Sequence, residues 1–317
     1  MALFKSAGAR IYGSGSAGIG VLLALLSASC FSTLGLFAKL IYSEGFSTPQ
    51  ALAWRFTGAA VILWGWVLVK DRRFPSFREN FPVLVLGILG FAPQAGLYFA
   101  TLRFLDPGIT SLLLYLYPSF VVLFSAVFLK RIPTRAQIGA LGLSLVGCVV
   151  TFFRAGRYPA VGIALGVLVA VTYGAYLVVG ERVLKDRSPV RSTAFLITGA
   201  ACVYWLLVGI TGSFKAPREP LSCLGLVGVS LVATVLPIVT LFASMQRIGA
   251  SNASLISTVE PLVTILLSAF ILGERLGPAQ LTGGALIVGA VVLIQAGTRR
   301  NSASPHAVES PRPDRPA

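Results

Sequence analysis

Ten apolar segments of about twenty residues divide the chain, and the short connectors between them carry most of its charge. A segment of this length crosses the hydrocarbon core of a bilayer as an α-helix, which satisfies its backbone N–H and C=O groups internally. The sequence therefore predicts an all-α integral membrane protein with ten transmembrane helices. The predicted spans cover residues 18–41, 48–69, 81–102, 107–129, 134–152, 160–184, 189–211, 221–245, 250–272 and 278–297.

The second half of the chain repeats the first. At a shift of about 143 residues Pro118 falls on Pro261, and at a shift of about 141 residues Trp64 falls on Trp205. Chance similarity between apolar segments does not readily match Pro and Trp in the same order. Each half is therefore interpreted as one five-helix unit, with the first repeat at residues 18–152 and the second at residues 153–298.

Basic residues are concentrated in alternate connectors, including residues 70–78, 130–135 and 182–191. The positive-inside rule then places both termini in the cytoplasm and the chain in the plasma membrane, which in a bacterium is the inner membrane. Residues 1–17 and 299–317 are predicted to be cytoplasmic tails, and residues 1–15 and 300–317 within them are expected to be disordered. Since each repeat has five spans, an odd number, the two repeats must have opposite orientations, which is typical of alternating-access transporters.

One carboxylate, Glu260, lies inside the ninth span, directly before Pro261. Placing a charge at the centre of a bilayer costs about 2.5–3.5 kcal/mol even on a lenient scale, so Glu260 needs a polar environment. Ser257, Thr264 and Ser268 share its helical face. Glu260 is interpreted either as a binding residue for a substrate amine or a proton, or as a carboxylate hydrogen-bonded to a neighbouring helix.

Arg55 is the one arginine well inside a span, in the second predicted helix. It could anchor that helix at the interface beside Trp54, because arginine side chains reach the headgroups from this depth. Its planar guanidinium is equally suited to binding a carboxylate or a phosphate. Arg55 and Glu260 would then either pair with each other or bind the two ends of a zwitterion such as an amino acid.

Other polar, aromatic and proline residues also lie inside the spans. Tyrosines that need a partner for the hydroxyl could line a central cavity, although ordinary helix packing explains any one of them. Prolines could kink or hinge a span, although transmembrane helices also tolerate them. At the repeat shift of about 143 residues, Pro237 aligns with Gln94. The candidate substrate-binding residues are Arg55, Gln94, Tyr98, Tyr115, Tyr117, Tyr173, Tyr176 and Glu260, and the candidate hinge or gate residues are Pro93, Pro118, Pro237 and Pro261.

Composition argues against several classes of function. The four cysteines lack CxxC spacing and the single histidine, His306, lies in the C-terminal tail, so neither a metal site nor a cofactor is predicted. The formal charge of +15 lies mostly beside spans, which indicates membrane orientation rather than nucleic-acid binding. No phosphate-binding loop or nucleophile motif has the structural context it needs, so the chain is not predicted to be an enzyme.

Glycine faces in the fifth and tenth spans indicate close helix packing or a homodimer.

Several of these motifs resemble the EamA-like branch of the drug/metabolite transporter superfamily. They are Glu260-Pro261, Leu272-Gly273-Glu274-Arg275-Leu276 and Pro278-Ala279-Gln280 in the second half, and Trp54-Arg55-Phe56, Pro118 and Ala136-Gln137 in the first. The resemblance implies a ten-helix transporter of two inverted repeats, with helices 1–4 and 6–9 around a cavity and helices 5 and 10 outside it. Lys130-Arg131-Ile132-Pro133 departs from the pattern, since it stands where the second repeat has Gly273-Glu274-Arg275-Leu276.

The expected function is secondary transport by alternating access, with export of amino acids or similar small metabolites. Helix pairs 3–4 and 8–9 would act as opposed gates around Glu260 and Arg55. Proton coupling is compatible with a single carboxylate, and so are exchange and uniport. The alternative is a membrane scaffold or interaction protein that does not transport, in which the repeat reflects ancestry only.

Overall fold

The computed structural model describes residues 14–71, 75–129, 132–133, 135–152, 158–184, 187–248, 256–257, 259–273 and 277–303. Every regular element among these residues is a helix, which confirms the predicted fold class. In chain order the helices are α1 (Ser14–Ser32), α2 (Leu34–Ser43), α3 (Thr48–Asp71), α4 (Phe77–Leu86), π1 (Gly87–Phe91), α5 (Ala92–Thr101), α6 (Pro107–Leu114), α7 (Tyr117–Leu129), α8 (Arg135–Phe152), α9 (Ala160–Val183), α10 (Pro189–Ile210), α11 (Pro220–Ser230), π2 (Leu231–Val235), α12 (Leu236–Ile248), α13 (Glu260–Leu272) and α14 (Pro278–Ala303).

The described helices account for a multi-pass membrane protein. Seven helical segments, four of which combine two or three consecutive helices, are long and apolar enough to cross a bilayer, and three shorter apolar helices lie at Ile138–Gly147, Glu260–Leu272 and Leu281–Ala290. The first helix begins at Ser14 and the last continues to Ala303, so residues 14–15 and 300–303 of the segments predicted to be disordered are helical. Residues 1–13 and 304–317, which hold the rest of both predicted tails, lie outside the described part of the chain.

The helices α3 and α10, which are the second helices of the two repeats, pack antiparallel to each other. Trp64 Nε1 donates to Thr198 Oγ1 at 2.9 Å, and Trp205 Nε1 donates to Thr57 Oγ1 at 2.7 Å. Since Thr57 matches Thr198 and Trp64 matches Trp205, each repeat gives the other the same hydrogen bond. Equivalent helices that run in opposite directions establish the predicted inversion of the two repeats.

The fifth helices of the repeats, α8 and α14, show the same antiparallel pairing. A Cβ at Gly147 would lie 2.8 Å from the Gly283 carbonyl oxygen, which shows how closely the backbones approach. Gly147, one of the glycines that the sequence predicted for close helix packing or a homodimer, therefore packs α8 against α14 of the same chain. Gly139 and Gly142 of α8 have no described atom within 4 Å of a Cβ built on them, so the rest of that glycine face points away from the bundle.

The remaining contacts interleave the two repeats. The first span packs on the eighth through α1 and α12, and the sixth packs on the third through α9 and α5. Contacts of α14 with α6 and of α13 with α1 continue the pattern, so that helices of one repeat are packed between helices of the other. The interior of the bundle is therefore the boundary between the repeats, where polar side chains from both can meet.

Three connectors close one end of the bundle. Arg103, between α5 and α6, donates from Nη2 to the Phe46 carbonyl at 3.0 Å and from Nε to Thr48 Oγ1 at 3.2 Å. Lys215, between α10 and α11, lies 4.8 Å from the centroid of the Phe46 ring and donates to the Glu44 carbonyl. Phe46 is only 2% exposed, so these connectors cover it at this end.

Candidate functional site

Glu260 begins α13, immediately after a break in the ninth span. Val259 adopts a turn, and Pro261 lies in the first turn of α13, where its missing N–H leaves no hydrogen bond unmade. The single hydroxyl hydrogen of Tyr115 is shared between Glu260 Oε2 at 3.0 Å and the Ser257 carbonyl at 2.8 Å. Glu260 as a whole residue is half-buried. The break therefore places a charged group and freed backbone carbonyls at one point inside the bundle.

Three interrupted spans meet at this point. The first span is interrupted at Thr33 between α1 and α2, and the fourth at Tyr115 and Leu116 between α6 and α7. Ser32, at the first interruption, donates from Oγ to the Glu260 carbonyl at 2.9 Å. The side chains of Ser32 and Tyr115, at the first two interruptions, thus hydrogen-bond to polar groups at the interruption beside Glu260. Polar groups inside a bilayer need such partners.

The helices α7 and α13, from opposite repeats, are equivalent half-helices. Tyr117–Leu129 and Glu260–Leu272 begin and end at positions about 143 residues apart, and Pro118 and Pro261 are the second residues of each. The prolines predicted as hinges therefore mark the starts of half-helices rather than kinks within continuous ones. Discontinuous helices in matching positions of inverted repeats are typical of substrate sites in secondary transporters.

Tyrosines from the fourth and sixth spans form an aromatic wall beside Glu260. The Tyr117 and Tyr173 rings are 4.7 Å apart in a T-shaped contact, and Tyr173 stacks on Tyr176 at 5.9 Å and 13°. Tyr115 contacts Tyr117 at 5.9 Å. Tyr115, Tyr117 and Tyr173 each interact electrostatically with Glu260. We refer to Tyr115, Tyr117, Tyr173 and Tyr176 as the tyrosine wall.

Arg55 lies apart from the tyrosine wall, against the eighth span. Its Nε donates to Thr234 Oγ1 at 3.0 Å, and its guanidinium carbon lies 5.1 Å and 5.3 Å from the ring centroids of Phe56 and Phe99. Only 4% of Arg55 is exposed, so it is a buried residue and not an interfacial anchor. Arg55 makes no ion pair with Glu260 among the described residues; Tyr98 interacts electrostatically with both.

Two π-helical turns, π1 and π2, precede Pro93 and Pro237 at matching positions of the third and eighth spans. The turns are about 144 residues apart, so the structure pairs Pro93 with Pro237, whereas the sequence alignment had paired Gln94 with Pro237. Gln94 itself is 8% exposed. π-turns within α-helices are frequent at functional sites. Thr234 in π2 donates to the Val229 carbonyl and accepts from Arg55, which ties this turn to the buried cation.

Sequence reasoning missed several of these partners. Ser32 and Thr234 hold Glu260 and Arg55, and Ser230 donates to the Arg55 carbonyl at 3.0 Å. The available signal was a hydroxyl residue inside an apolar span, which is common in membrane helices and does not reveal its partner. A separate apolar groove of about 430 Å³ between α3 and α10 lies at Thr57, Trp64, Thr198 and Trp205, away from Glu260.

The chain is similar to membrane transporters in sequence and to a solved structure in fold. A family model described as the EamA-like transporter family matches residues 18–153 and 160–296. YcbK of Bacillus subtilis, named as an uncharacterized transporter, is 29% identical over 282 residues, covering 84% of this chain and 89% of its own. An uncharacterized transporter of Archaeoglobus fulgidus is 27% identical over 219 residues, covering 68% and 77%. One solved structure superposes with a TM-score of 0.63 at 22% identity, over 89% of this chain and 99% of its own, and so bears on the fold.

Proposed function

The chain belongs to the EamA-like transporter family, and from this premise we propose that it is a secondary transporter that exports small metabolites with an amino group by alternating access. Amino acids are the first class expected from the sequence. Glu260 is the residue that binds the amino group, and the tyrosine wall lines the site. The proposal places the chain in the plasma membrane with both termini in the cytoplasm.

The observation that carries this proposal is the half-buried carboxylate of Glu260 at the meeting point of three interrupted spans. A carboxylate inside a membrane protein is costly, and such residues usually mark a substrate or ion pathway. Within the described residues Glu260 has no cationic partner, and its hydrogen bond comes from the neutral phenol of Tyr115. An arrangement of this kind leaves the negative charge available to a cation that enters the cavity.

Alternating access is supported by the symmetry of the fold. Inverted repeats can exchange conformations, so that an arrangement closed at one end has a counterpart closed at the other. The connectors around Phe46 close one end, which the basic-residue pattern assigns to the outside. In this proposal the structure is taken as a state closed toward the outside. In this proposal the third and eighth spans, each with a π-turn before its proline, belong to the moving parts.

Glu260 can also account for energy coupling. The negative charge of a single carboxylate can be neutralised by a proton or by a substrate ammonium group, but not by both at once. Competition for Glu260 would then exchange one for the other across the membrane, which is the simplest form of antiport. We include this proton exchange in the proposed function.

The experiment is a transport assay on reconstituted protein. A thermal-shift screen of amines and amino acids first identifies a ligand, because a compound that binds the folded state raises its apparent stability. Uptake of the radiolabelled ligand into preloaded proteoliposomes is then measured for the wild type and for Glu260→Gln. We expect Glu260→Gln to lose at least ~90% of the uptake, since the neutral amide cannot neutralise the substrate cation.

The matched control is Glu219→Gln, which makes the same change at an exposed residue before α11. This variant should transport as the wild type does. Arg55→Ala is also expected to abolish uptake, because it removes the buried guanidinium that connects α3 with π2. Normal uptake by both Glu260→Gln and Arg55→Ala would show that the site is wrong. Absence of uptake by the wild type for every ligand that binds would argue against transport itself.

A further inference from the structure

Building on the transport function proposed above, we infer that the substrate is recognised through its cationic amino group alone, so that an amine binds better than the amino acid with the same side chain. The inference rests on the different surroundings of the two buried charges. Glu260 is half-buried and lies beside aromatic rings, whereas Arg55 is only 4% exposed and is enclosed by the protein.

Glu260 is the accessible charge. Its side chain is half-buried, and among the described residues only Tyr115 donates to its carboxylate, at Oε2. We assign the other carboxylate oxygen, Oε1, to the ligand. A primary ammonium group has three donors and matches such an acceptor.

The tyrosine wall suits a cation next to this carboxylate. The faces of aromatic rings carry negative potential and attract ammonium groups that lie within about 6 Å of the ring centroid. The Tyr117, Tyr173 and Tyr176 rings are all half-buried and follow one another at 4.7 Å and 5.9 Å. They offer ring surface to a ligand without presenting a positive charge.

A carboxylate on the same ligand would meet an unfavourable environment. In an α-amino acid the carboxylate and the ammonium group share one carbon, so binding the ammonium group at Glu260 brings the carboxylate into the same cavity. The groups that interact electrostatically with Glu260 are Tyr98, Tyr115, Tyr117 and Tyr173, all of them phenols. No cation is among these described neighbours, so the two carboxylates would repel each other.

Arg55 is the one residue that could compensate, but it is engaged elsewhere. Its Nε is hydrogen-bonded to Thr234, the Phe56 and Phe99 rings contact its guanidinium, and 4% of it is exposed. The groups that interact electrostatically with Arg55 are Tyr98 and Tyr204 and do not include Glu260, so its charge does not offset a carboxylate placed beside Glu260. Arg55 is therefore assigned a positioning role between α3 and π2.

The test compares ligands that differ only in the carboxylate. Dissociation constants for phenethylamine and phenylalanine, and for isoamylamine and leucine, are measured by isothermal titration calorimetry on the purified full-length protein. In at least one pair the amine should bind more than ten-fold tighter than the amino acid. Glu260→Gln should lose amine binding, and Glu219→Gln should retain it.

Two variants of Tyr173 test the aromatic contribution. Tyr173→Leu removes the ring face and should weaken amine binding by five-fold or more, whereas Tyr173→Phe keeps the face and should bind within two-fold of the wild type. Circular dichroism and size-exclusion chromatography confirm that each variant is folded. Equal losses in both variants would point to the hydroxyl and would contradict a role for the ring face.

The inference is overturned if the amino acids bind as tightly as the amines. Weaker amino-acid binding by Arg55→Gln would then show that Arg55 recognises the carboxylate. The inference is also overturned if neither pair binds. In that case another ligand class whose transport depends on Glu260 would still support the proposed transport function, so the two failures can be told apart.

Discussion

At the scale of single residues, polar side chains inside this bundle are held by partners far away in the sequence. Ser27 donates to the Pro237 carbonyl at 2.7 Å, and Ser244 donates to the Gly20 carbonyl at 2.8 Å. Each of these bonds joins the two repeats and supplies a partner to a carbonyl that the bilayer could not hydrate. Tyr115 differs from them because its second acceptor is a charged side chain.

Tyr115→Phe is predicted to affect both stability and binding. The change removes the one hydroxyl donated to Glu260 and to the Ser257 carbonyl, and a hydrogen bond to a charged group contributes about 1.5–3 kcal/mol. Thermal unfolding in detergent should show a lower midpoint. Calorimetry should show weaker amine binding, because the carboxylate loses the contact that orients it.

Tyr204→Phe is the matched control for this prediction. Tyr204 donates to the Ala92 carbonyl at 2.6 Å and does not hydrogen-bond to Glu260, so its loss should lower stability and leave the affinity unchanged. Equal effects of the two variants on affinity would remove the specific role given to Tyr115.

At the scale of helices, hydropathy and repetition are sufficient to predict the spans but not their interruptions. The shared apolar length and the match of Trp64 with Trp205 were visible in the sequence, and the structure bears out the spans and the inversion. The π-turns at Gly87–Phe91 and Leu231–Val235 were missed because they are built from the same apolar residues as the α-helix around them. Their positions are set by packing between the repeats.

The residues of the site, like the helices, were predicted only in part from the sequence. Glu260 stood out because a charge is rare in an apolar span, and the structure places Tyr115, Tyr117 and Tyr173 near it. Arg55 was equally visible, but its partner Thr234 lies in the other repeat and carries no sequence signal. The choice between pairing with Glu260 and a separate role could therefore be made only from the three-dimensional arrangement.

Glycine substitutions in α10 test the packing between helices. A Cβ at Gly199 would lie 2.5 Å from the Leu84 carbonyl oxygen, a backbone atom that cannot rotate away. Gly199→Ala should therefore lower stability by about 1–3 kcal/mol, as overpacking typically does. Gly209 in the same helix has nothing within 4 Å, so Gly209→Ala should be neutral or stabilising by up to about 1 kcal/mol. Thermal unfolding of both variants decides whether α4 and α10 are as close as described.

At the scale of the whole molecule, two inverted repeats enclose a polar site within an apolar bundle. The connectors that hold Phe46 close one end through Arg103 and Lys215. The lipid-facing surface is apolar, with large side chains such as Leu266 and Phe270 exposed at 57% and 86%. A water-filled path from the opposite end to Glu260 is the central requirement of the transport account.

The accessibility of position 260 to a charged thiol reagent tests this requirement most directly. The variant Glu260→Cys is made in a background in which the four native cysteines are replaced by serine or alanine, and inside-out membrane vesicles are treated with a membrane-impermeant cationic methanethiosulfonate. Leu266→Cys, on the same helix but facing lipid, is the matched control, and Ile132→Cys, at a residue that is 92% exposed, is the positive control. The account predicts that the thiol introduced by Glu260→Cys reacts within about tenfold of the rate measured for Ile132→Cys, while the thiol of Leu266→Cys does not react. A Glu260→Cys variant that stays as unreactive as Leu266→Cys, both in these vesicles and in intact cells, would contradict it.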